Sequence, residues 1–338
     1  MRKVRVLVVD DSMLFRRLLA EGLQEDPMIE VVAQAADAYE ARDAILQYSP
    51  DVMTLDVEMP KMDGIAFLRK LLPQYPLPVV VVSSLDVKVF EAMEAGAVDF
   101  IRKPNMANRD QVRTFLKKEL GAKVKIASTV KVGGLKRVMP YPSHMAASVR
   151  SNMVVAIGAS TGGTEAILEV VRQFRRDIPG VVIVQHMPPG FTQMYANRLN
   201  NQCQVAVKEA TTGDRVLPGS VLIAPGDRQM RLLKVNGVYQ VECRPGEKVS
   251  GHCPSVDVLF SSVAKTAKQD AVGVILTGMG GDGAKGLLEM RKAGAITIGQ
   301  NEESCVVYGM PKVAYDIGAV QYQVDLSSVA NKVYSVLK

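Results

Sequence analysis

Along residues 1–120, short apolar runs alternate with amphipathic stretches. The runs Val4–Val9, Ile29–Ala33, Val52–Leu55, Val79–Val82 and Val98–Ile101 are rich in β-branched residues and read as strands. Between and after them, Met13–Glu25, Ala38–Gln47, Ile65–Leu72, Val87–Glu94 and Arg109–Leu120 read as helices, with apolar side chains on one face, as at Leu14, Leu18 and Leu19. Continuous apolar strands separated by helices predict a parallel sheet covered on both faces. A second α/β pattern begins at Ser151. Its strand candidates are Met153–Ile157, Val181–Gln185, Val221–Ala224, Ala271–Leu276 and Ala295–Ile298, and Thr164–Phe174 reads as a helix. A section rich in Gly and Pro, Gly213–Pro254, reads as hairpins and loops inserted into this second, mainly parallel, doubly wound domain. Residues 121–150 carry Gly133-Gly134, Pro140, Pro142 and no long apolar period, so they read as a linker. The expected division is therefore 1–120, a linker at 121–150, and 151–338.

A chain of 338 residues suits two domains, and 48% hydrophobic residues suffice for ordinary cores. The net charge of +6 raises the question of nucleic acid. However, Leu120 to Thr164 holds no Asp or Glu, while Lys123, Lys125, Lys131, Lys136, Arg137 and Arg150 lie there. The excess reads as a solvated basic tether, and the absence of Trp argues against stacking surfaces for single strands. No apolar run approaches the ~18 residues of a membrane span. Met1-Arg2-Lys3 leads straight into an acid-ended strand, unlike a signal peptide. The four cysteines, Cys203, Cys243, Cys253 and Cys305, are scattered; reduced thiols in a cytoplasmic protein are the simplest reading, without a zinc site.

Three strand ends of the first domain carry acids or a base. Asp10 and Asp11 close the first strand and Asp56 the third; Ser83 and Lys103-Pro104 follow the fourth and fifth. Ligands gather at the carboxyl ends of strands in an open parallel sheet. Three carboxylates there repel one another without a cation, and oxygen ligands favour Mg²⁺. A lysine and a hydroxyl around such a pocket suit a phosphoryl group on one aspartate.

The second domain opens on Val154-Val155-Ala156-Ile157-Gly158-Ala159-Ser160-Thr161-Gly162-Gly163. This is Gly-x-Ser-x-Gly at a strand-to-helix turn, which exposes a hydroxyl above a sheet edge or cradles a phosphate. A serine nucleophile needs a base, and the chain has three histidines. His144 lies in the linker. His252 lies in the loop Ser250–Pro254, placed to line a site. His186 ends the apolar run Val181–Val184 on the same rim as Ser160. Asp282, in the glycine-rich loop Thr277–Gly283 after a strand, is the candidate carboxylate to orient the imidazole. That loop also reads Gly278-x-Gly280-x-x-Gly283, a dinucleotide fingerprint, with Glu302 and Glu303 about 20 residues on. The fingerprint usually opens its domain, and it leaves Ser160 and His186 unexplained.

Residues 1–120 resemble the receiver domains of bacterial response regulators, through Asp10, Asp11, Asp56, Met59-Pro60, Asp63-Gly64, Ser83 and Lys103-Pro104. The resemblance implies a flavodoxin-like fold, Asp56 as phosphoacceptor, and Asp11 and Asp56 as Mg²⁺ ligands with Asp10 beside them. It also implies Ser83 and Phe100 as a switch pair and Lys103 as the phosphate contact. With Gly158–Gly163, Gln185-His186-Met187, Pro254–Asp257, Thr277–Gly283 and Val306–Pro311, nearly the whole chain resembles the CheB family of chemotaxis methylesterases. Cys253 departs from the basic residue often found before that proline. This likeness implies hydrolysis of glutamate γ-methyl esters by Ser160, His186 and Asp282, and raises deamidation of receptor glutamines as a related activity. The backbone N–H groups of Thr161 and Met279 are the oxyanion candidates, and no cofactor is expected in the second domain. The implied partners are methylated cytoplasmic helices of chemoreceptors and a chemotaxis histidine kinase, with no nucleic acid and no membrane insertion. The alternatives are a DNA-binding response regulator, which needs a helix-turn-helix the second half does not read as, and a phosphorylation-dependent interaction module.

Overall fold

The computed structural model describes residues 2–84, 88–130 and 152–337. The chain divides into two compact units, Met1–Leu135 and Lys136–Lys338. Most of the expected linker, with His144, lies outside the described residues.

The first unit runs β1 Val4–Val9, α1 Met13–Gln24, β2 Ile29–Ala35, α2 Ala38–Tyr48, β3 Val52–Leu55, α3 Gly64–Leu71, β4 Val79–Ser83, α4 Val89–Glu94, β5 Asp99–Arg102 and α5 Arg109–Thr114. Its five strands are parallel in the order β2-β1-β3-β4-β5. Side-chain oxygens of Ser12, Asp37 and Asp63 accept N–H groups of the first turns of α1, α2 and α3, so three of the helices start where capping chemistry permits. β1 and β3 are neighbours on which the chain changes direction, and this order sets Asp10 beside Asp56.

The boundary expected at 121 is not where the helix stops. A π-helical segment, Phe115–Leu120, continues into α6, Gly121–Ala127. Leu120, Val124 and Ala127 are buried, forming an apolar stripe that glycine at 121 does not interrupt. Lys123 and Lys125, read above as tether charges, pair with Asp99 at 2.8 Å and Asp26 at 2.5 Å. The helix belongs to the first unit.

The second unit runs β6 Val154–Ala159, α7 Gly163–Arg172, β7 Gly180–Gln185, α8 Phe191–Gln202, β8 Ala206–Glu209, β9 Ser220–Ile223, β10 Gln229–Val235, β11 Val238–Arg244, α9 Val256–Thr266, β12 Ala271–Ile275, α10 Ala284–Lys292, β13 Ile296–Gln300, α11 Met310–Asp316, β14 Tyr322–Val324 and α12 Leu326–Val336. Seven strands form a parallel sheet in the order β14-β13-β12-β6-β7-β9-β8, and β10 and β11 form a separate antiparallel hairpin. The central strands β6, β7 and β12 are buried throughout, which is why they read as unbroken apolar runs. The chain leaves β6 toward β7 on one side and returns to β12 on the other. A crevice therefore opens at the carboxyl ends of β6 and β12. Two glycines seat α9 beneath it: a Cβ on Gly158 would lie 2.2 Å, and one on Gly283 2.5 Å, from Cγ1 of Val256.

Candidate active site and phosphoacceptor site

Ser160 follows β6 at the crevice. Its N–H donates to the Thr277 carbonyl at 3.0 Å, and its carbonyl accepts the Gly163 N–H at 2.7 Å. Gly278 presses against it: a Cβ there would lie 2.7 Å from Ser160 Cβ. The Thr277 hydroxyl donates to the Thr161 carbonyl at 3.0 Å and accepts the Val307 N–H at 2.9 Å. Three segments, Ser160–Gly163, Thr277–Gly283 and Val306–Tyr308, are thereby stitched into one rim. Thr161 is buried, whereas the Met279 side chain is half exposed at the mouth.

His186 follows β7, whose Gln185 is in register with Ala159 of β6. Its Nε2 lies 2.8 Å from Asp282 Oδ2, leaving Nδ1 buried with no hydrogen-bond partner. In the most familiar serine hydrolases the carboxylate binds Nδ1, so the ring here is engaged from its other end. Asp282 sits at the N-terminus of α9. It accepts the Ser255 hydroxyl at 2.7 Å and the N–H groups of Val256 at 2.7 Å and Asp257 at 3.1 Å. Burial works to raise its pKa, but His186, the Ser255 hydroxyl and the Val256 N–H outweigh it and hold the carboxyl below its ordinary range. Asp257, behind it, goes the other way: burial raises it, assisted by the charge of Asp282 and only partly offset by the Gly286 N–H. The Asp282 carboxylate thus faces His186, which leaves little for the dinucleotide reading of its loop.

Three contributors were given no part in the catalytic set from sequence. Gln185 donates from Nε2 to the carbonyls of Ser160 at 2.9 Å and His186 at 3.4 Å, joining the two loops. Ser255 both caps α9 and holds Asp282. His252, expected only to line a site, stacks on His186 with ring centroids 3.7 Å apart and planes 8° from parallel. The count of three histidines was the available signal for it. The Gln185 contacts carry a prediction. Gln185→Leu should lower kcat about tenfold with KM within twofold, and cost about 1–3 kcal/mol of stability, because the Ser160 and His186 carbonyls each lose a donor. Steady-state turnover and urea midpoints measure both; an unchanged kcat removes Gln185 from the positioning of Ser160.

In the first unit, Asp10 and Asp56 are buried and Asp11 is exposed, and one ligand oxygen from each falls within 4.8 Å of the others. Lys103 Nζ lies 2.7 Å from Asp10 Oδ2 and 2.5 Å from Asp56 Oδ2. Burial raises the pKa of Asp10; Lys103 opposes this and the Asp56 charge adds to it. Burial tends to lower Lys103, but its two carboxylate partners prevail and raise it. Three carboxylates around one ammonium leave negative charge in excess, and their all-oxygen donors fit a hard divalent cation such as Mg²⁺. Ser83 is buried at the end of β4, and its carbonyl accepts the Lys103 N–H at 2.9 Å. Phe100 is buried edge-on to Phe90, with centroids 6.2 Å apart at 63°.

These two sites lie within two matched families. Residues 155–333 match the family described as CheB methylesterase, and residues 6–124 match the response regulator receiver domain. The chain belongs to the CheB methylesterase family. A protein-glutamate methylesterase/protein-glutamine glutaminase 2 of Syntrophomonas wolfei is 58% identical over 337 residues, covering 100% of this chain and 98% of its own. A protein-glutamate methylesterase/protein-glutamine glutaminase of Salmonella typhimurium is 50% identical over 338 residues, covering 98% and 96%. The Thermotoga maritima CheB methylesterase catalytic domain superposes with a TM-score of 0.53 at 36% identity, covering 54% of this chain and 98% of that one. Along this chain the residues run Ser160, His186, Asp282, whereas the catalytic residues of α/β-hydrolases run Ser, Asp, His. No described helix of this CheB family member is long and apolar enough to cross a membrane.

Proposed function

We propose that the second domain hydrolyses γ-methyl esters of glutamates, and amides of glutamines, on methylated cytoplasmic helices of chemoreceptors. The observation that carries this is the His186 Nε2–Asp282 bond at 2.8 Å, on the rim that bears Ser160. With Nε2 committed to Asp282, Nδ1 is the nitrogen that takes the Ser160 proton as Oγ attacks the ester carbonyl. Asp282 stabilises the imidazolium that forms. The Thr161 and Met279 N–H groups receive the oxyanion, each contributing about 3 kcal/mol to the barrier reduction. The Oγ–C bond forms as methanol, or ammonia from a glutamine, departs with the proton from His186. Water then repeats the sequence on the acyl-serine and restores Ser160.

The first domain governs this activity. Asp56 is the phosphoacceptor, a chemotaxis histidine kinase is the donor, and Asp10, Asp11 and Asp56 hold Mg²⁺, which when bound neutralises the converging phosphoryl and carboxylate charge. A phosphoryl group on Asp56 takes over the Lys103 ammonium and engages the Ser83 hydroxyl, with Phe100 repacking. The unphosphorylated receiver obstructs the esterase rim, and a shift of about 1.4 kcal/mol changes its exposure roughly tenfold. The setting is the cytoplasm, and no nucleic acid takes part.

Methanol release from methylated receptor, with and without a small phosphodonor and Mg²⁺, tests both parts on the full chain. The phosphodonor should raise the rate in wild type and leave Asp56→Asn at its basal rate. No release from fully phosphorylated protein overturns the esterase assignment. Equal rates from phosphorylated and unphosphorylated wild type overturn the regulation.

A further inference from the structure

A hydrogen bond and a stacked ring constrain an imidazole differently. The bond from Nε2 to Asp282 fixes one end of the His186 ring but leaves it free to turn about that line. A flat group on its face removes the turn. His252 supplies that face, at 3.7 Å and 8°.

The loop carrying His252 is itself held from inside. Its N–H donates to the Val249 carbonyl at 2.9 Å, and its carbonyl accepts the Val249 N–H at 3.0 Å. The buried Gln229 donates from Nε2 to the carbonyls of Glu247 at 2.9 Å and His252 at 3.3 Å, and its Oε1 accepts the Ser255 N–H at 2.9 Å. Ser255 in turn holds Asp282. One side chain, Gln229, therefore anchors both groups that contact the His186 ring.

We infer that His252 is a positioning residue for the base, and that it serves in the neutral form. This rests on the assignment of His186 as the base. When His186 takes the Ser160 proton it becomes a cation. A neutral aromatic face beside it accommodates that charge. A protonated His252 sets a second cation at stacking distance from the imidazolium, and opposes the proton transfer. The titratable groups around the pair are Asp282 on the glycine loop and, behind it on α9, Asp257. On the His252 loop stand Glu247, Lys248 and Cys253, with Asp227 bearing on Cys253 from the loop after β9. Burial raises the Cys253 thiol, so it stays neutral at and below neutral pH.

The test is kcat and KM for methanol release between about pH 5 and 8.5, for wild type, His252→Phe, His252→Ala and His186→Gln, each checked by circular dichroism. Phenylalanine keeps the face and cannot charge. Near neutral pH, His252→Phe should keep kcat within about threefold, and His252→Ala should lose about 10- to 100-fold in kcat with KM within twofold. On the acid side, the fall of log kcat should be displaced between wild type and His252→Phe, because the stacked ring can no longer take a proton. A His252→Ala kcat within twofold of wild type overturns the inference. So does a His252→Phe loss as large as that of alanine, or acid limbs that coincide in wild type and His252→Phe. A loss confined to KM makes His252 a substrate contact and also overturns it. His252→Phe decides the matter if the alanine variant does not fold. Normal turnover by His186→Gln shows that the base assignment itself has failed; an inactive His186→Gln beside a normal His252→Ala shows that only the stack is idle.

Discussion

Ser160→Ala should abolish methanol release while the second domain keeps its fold. The loss should be on the order of 10⁴- to 10⁶-fold in kcat, as when a nucleophile is removed from a set that acts as a unit. The fold should survive because the bonds that seat the turn are made by the backbone: the Ser160 N–H to the Thr277 carbonyl and the Ser160 carbonyl from Gly163 and Gln185. The hydroxyl takes no part in these bonds. Substrate binding should therefore remain, so a Ser160→Ala chain should still retain methylated receptor in a pull-down. Turnover by the folded variant at even a tenth of the wild-type rate removes Ser160 from the mechanism.

Asp282→Asn should cost both activity and stability. The amide matches only part of its surroundings. With Oδ1 toward the Ser255 hydroxyl and the Asp257 N–H, Nδ2 confronts the Val256 N–H and His186 Nε2. Facing a donor, His186 turns its acceptor nitrogen to position 282 and places its proton on Nδ1, where a base is needed. A drop of about 10⁴ in kcat is expected from the wrong tautomer. The opposed N–H groups should cost about 1–3 kcal/mol. The pH dependence has a definite sign. Because the folded pKa of Asp282 is depressed, its contribution to stability is complete above the ordinary carboxylate value of ~3.9 and is lost as pH falls through the lower folded value. Asp257, raised by burial, works with the opposite sign. The difference between wild type and Asp282→Asn in urea midpoint against pH isolates Asp282. That difference should narrow below about pH 4; a constant difference rules out the depressed carboxylate as its source.

The parts that could be read from sequence share a physical cause. Strands covered on both faces, such as β6 and β7, have no polar alternation, so they stand out as unbroken β-branched runs ending in Ser160 and His186. Edge strands β8 and β14 escaped notice because Ala206–Glu209 is half polar and Tyr322–Val324 is three residues long. The helix past Leu120 was missed for a different reason. Residues 121–150 carry no long apolar period and read as a linker, while the stripe that continues the helix is completed by the packing of Val124 and Ala127. The nearness of His186 and Asp282 could be approached by elimination among few histidines. The nitrogen used, the stacked His252 and the Gln229 anchor depend on contacts between segments far apart in sequence, for which a single chain carries no local pattern.

Val256 touches two places at once. Its side chain fills the space that a Cβ on Gly158 or on Gly283 would need, so the strand leading to Ser160 and the loop carrying Asp282 share a single neighbour. Substituting either glycine alone forces that neighbour outward, disturbing the other side of the crevice. For directed evolution this makes the order of mutation matter. Val256→Ala comes first as the permissive step, mildly harmful by itself, and only afterwards does alanine at position 158 become reachable. At 283 the backbone stays closed to other residues, because its φ of +90° excludes them even when the room has been made.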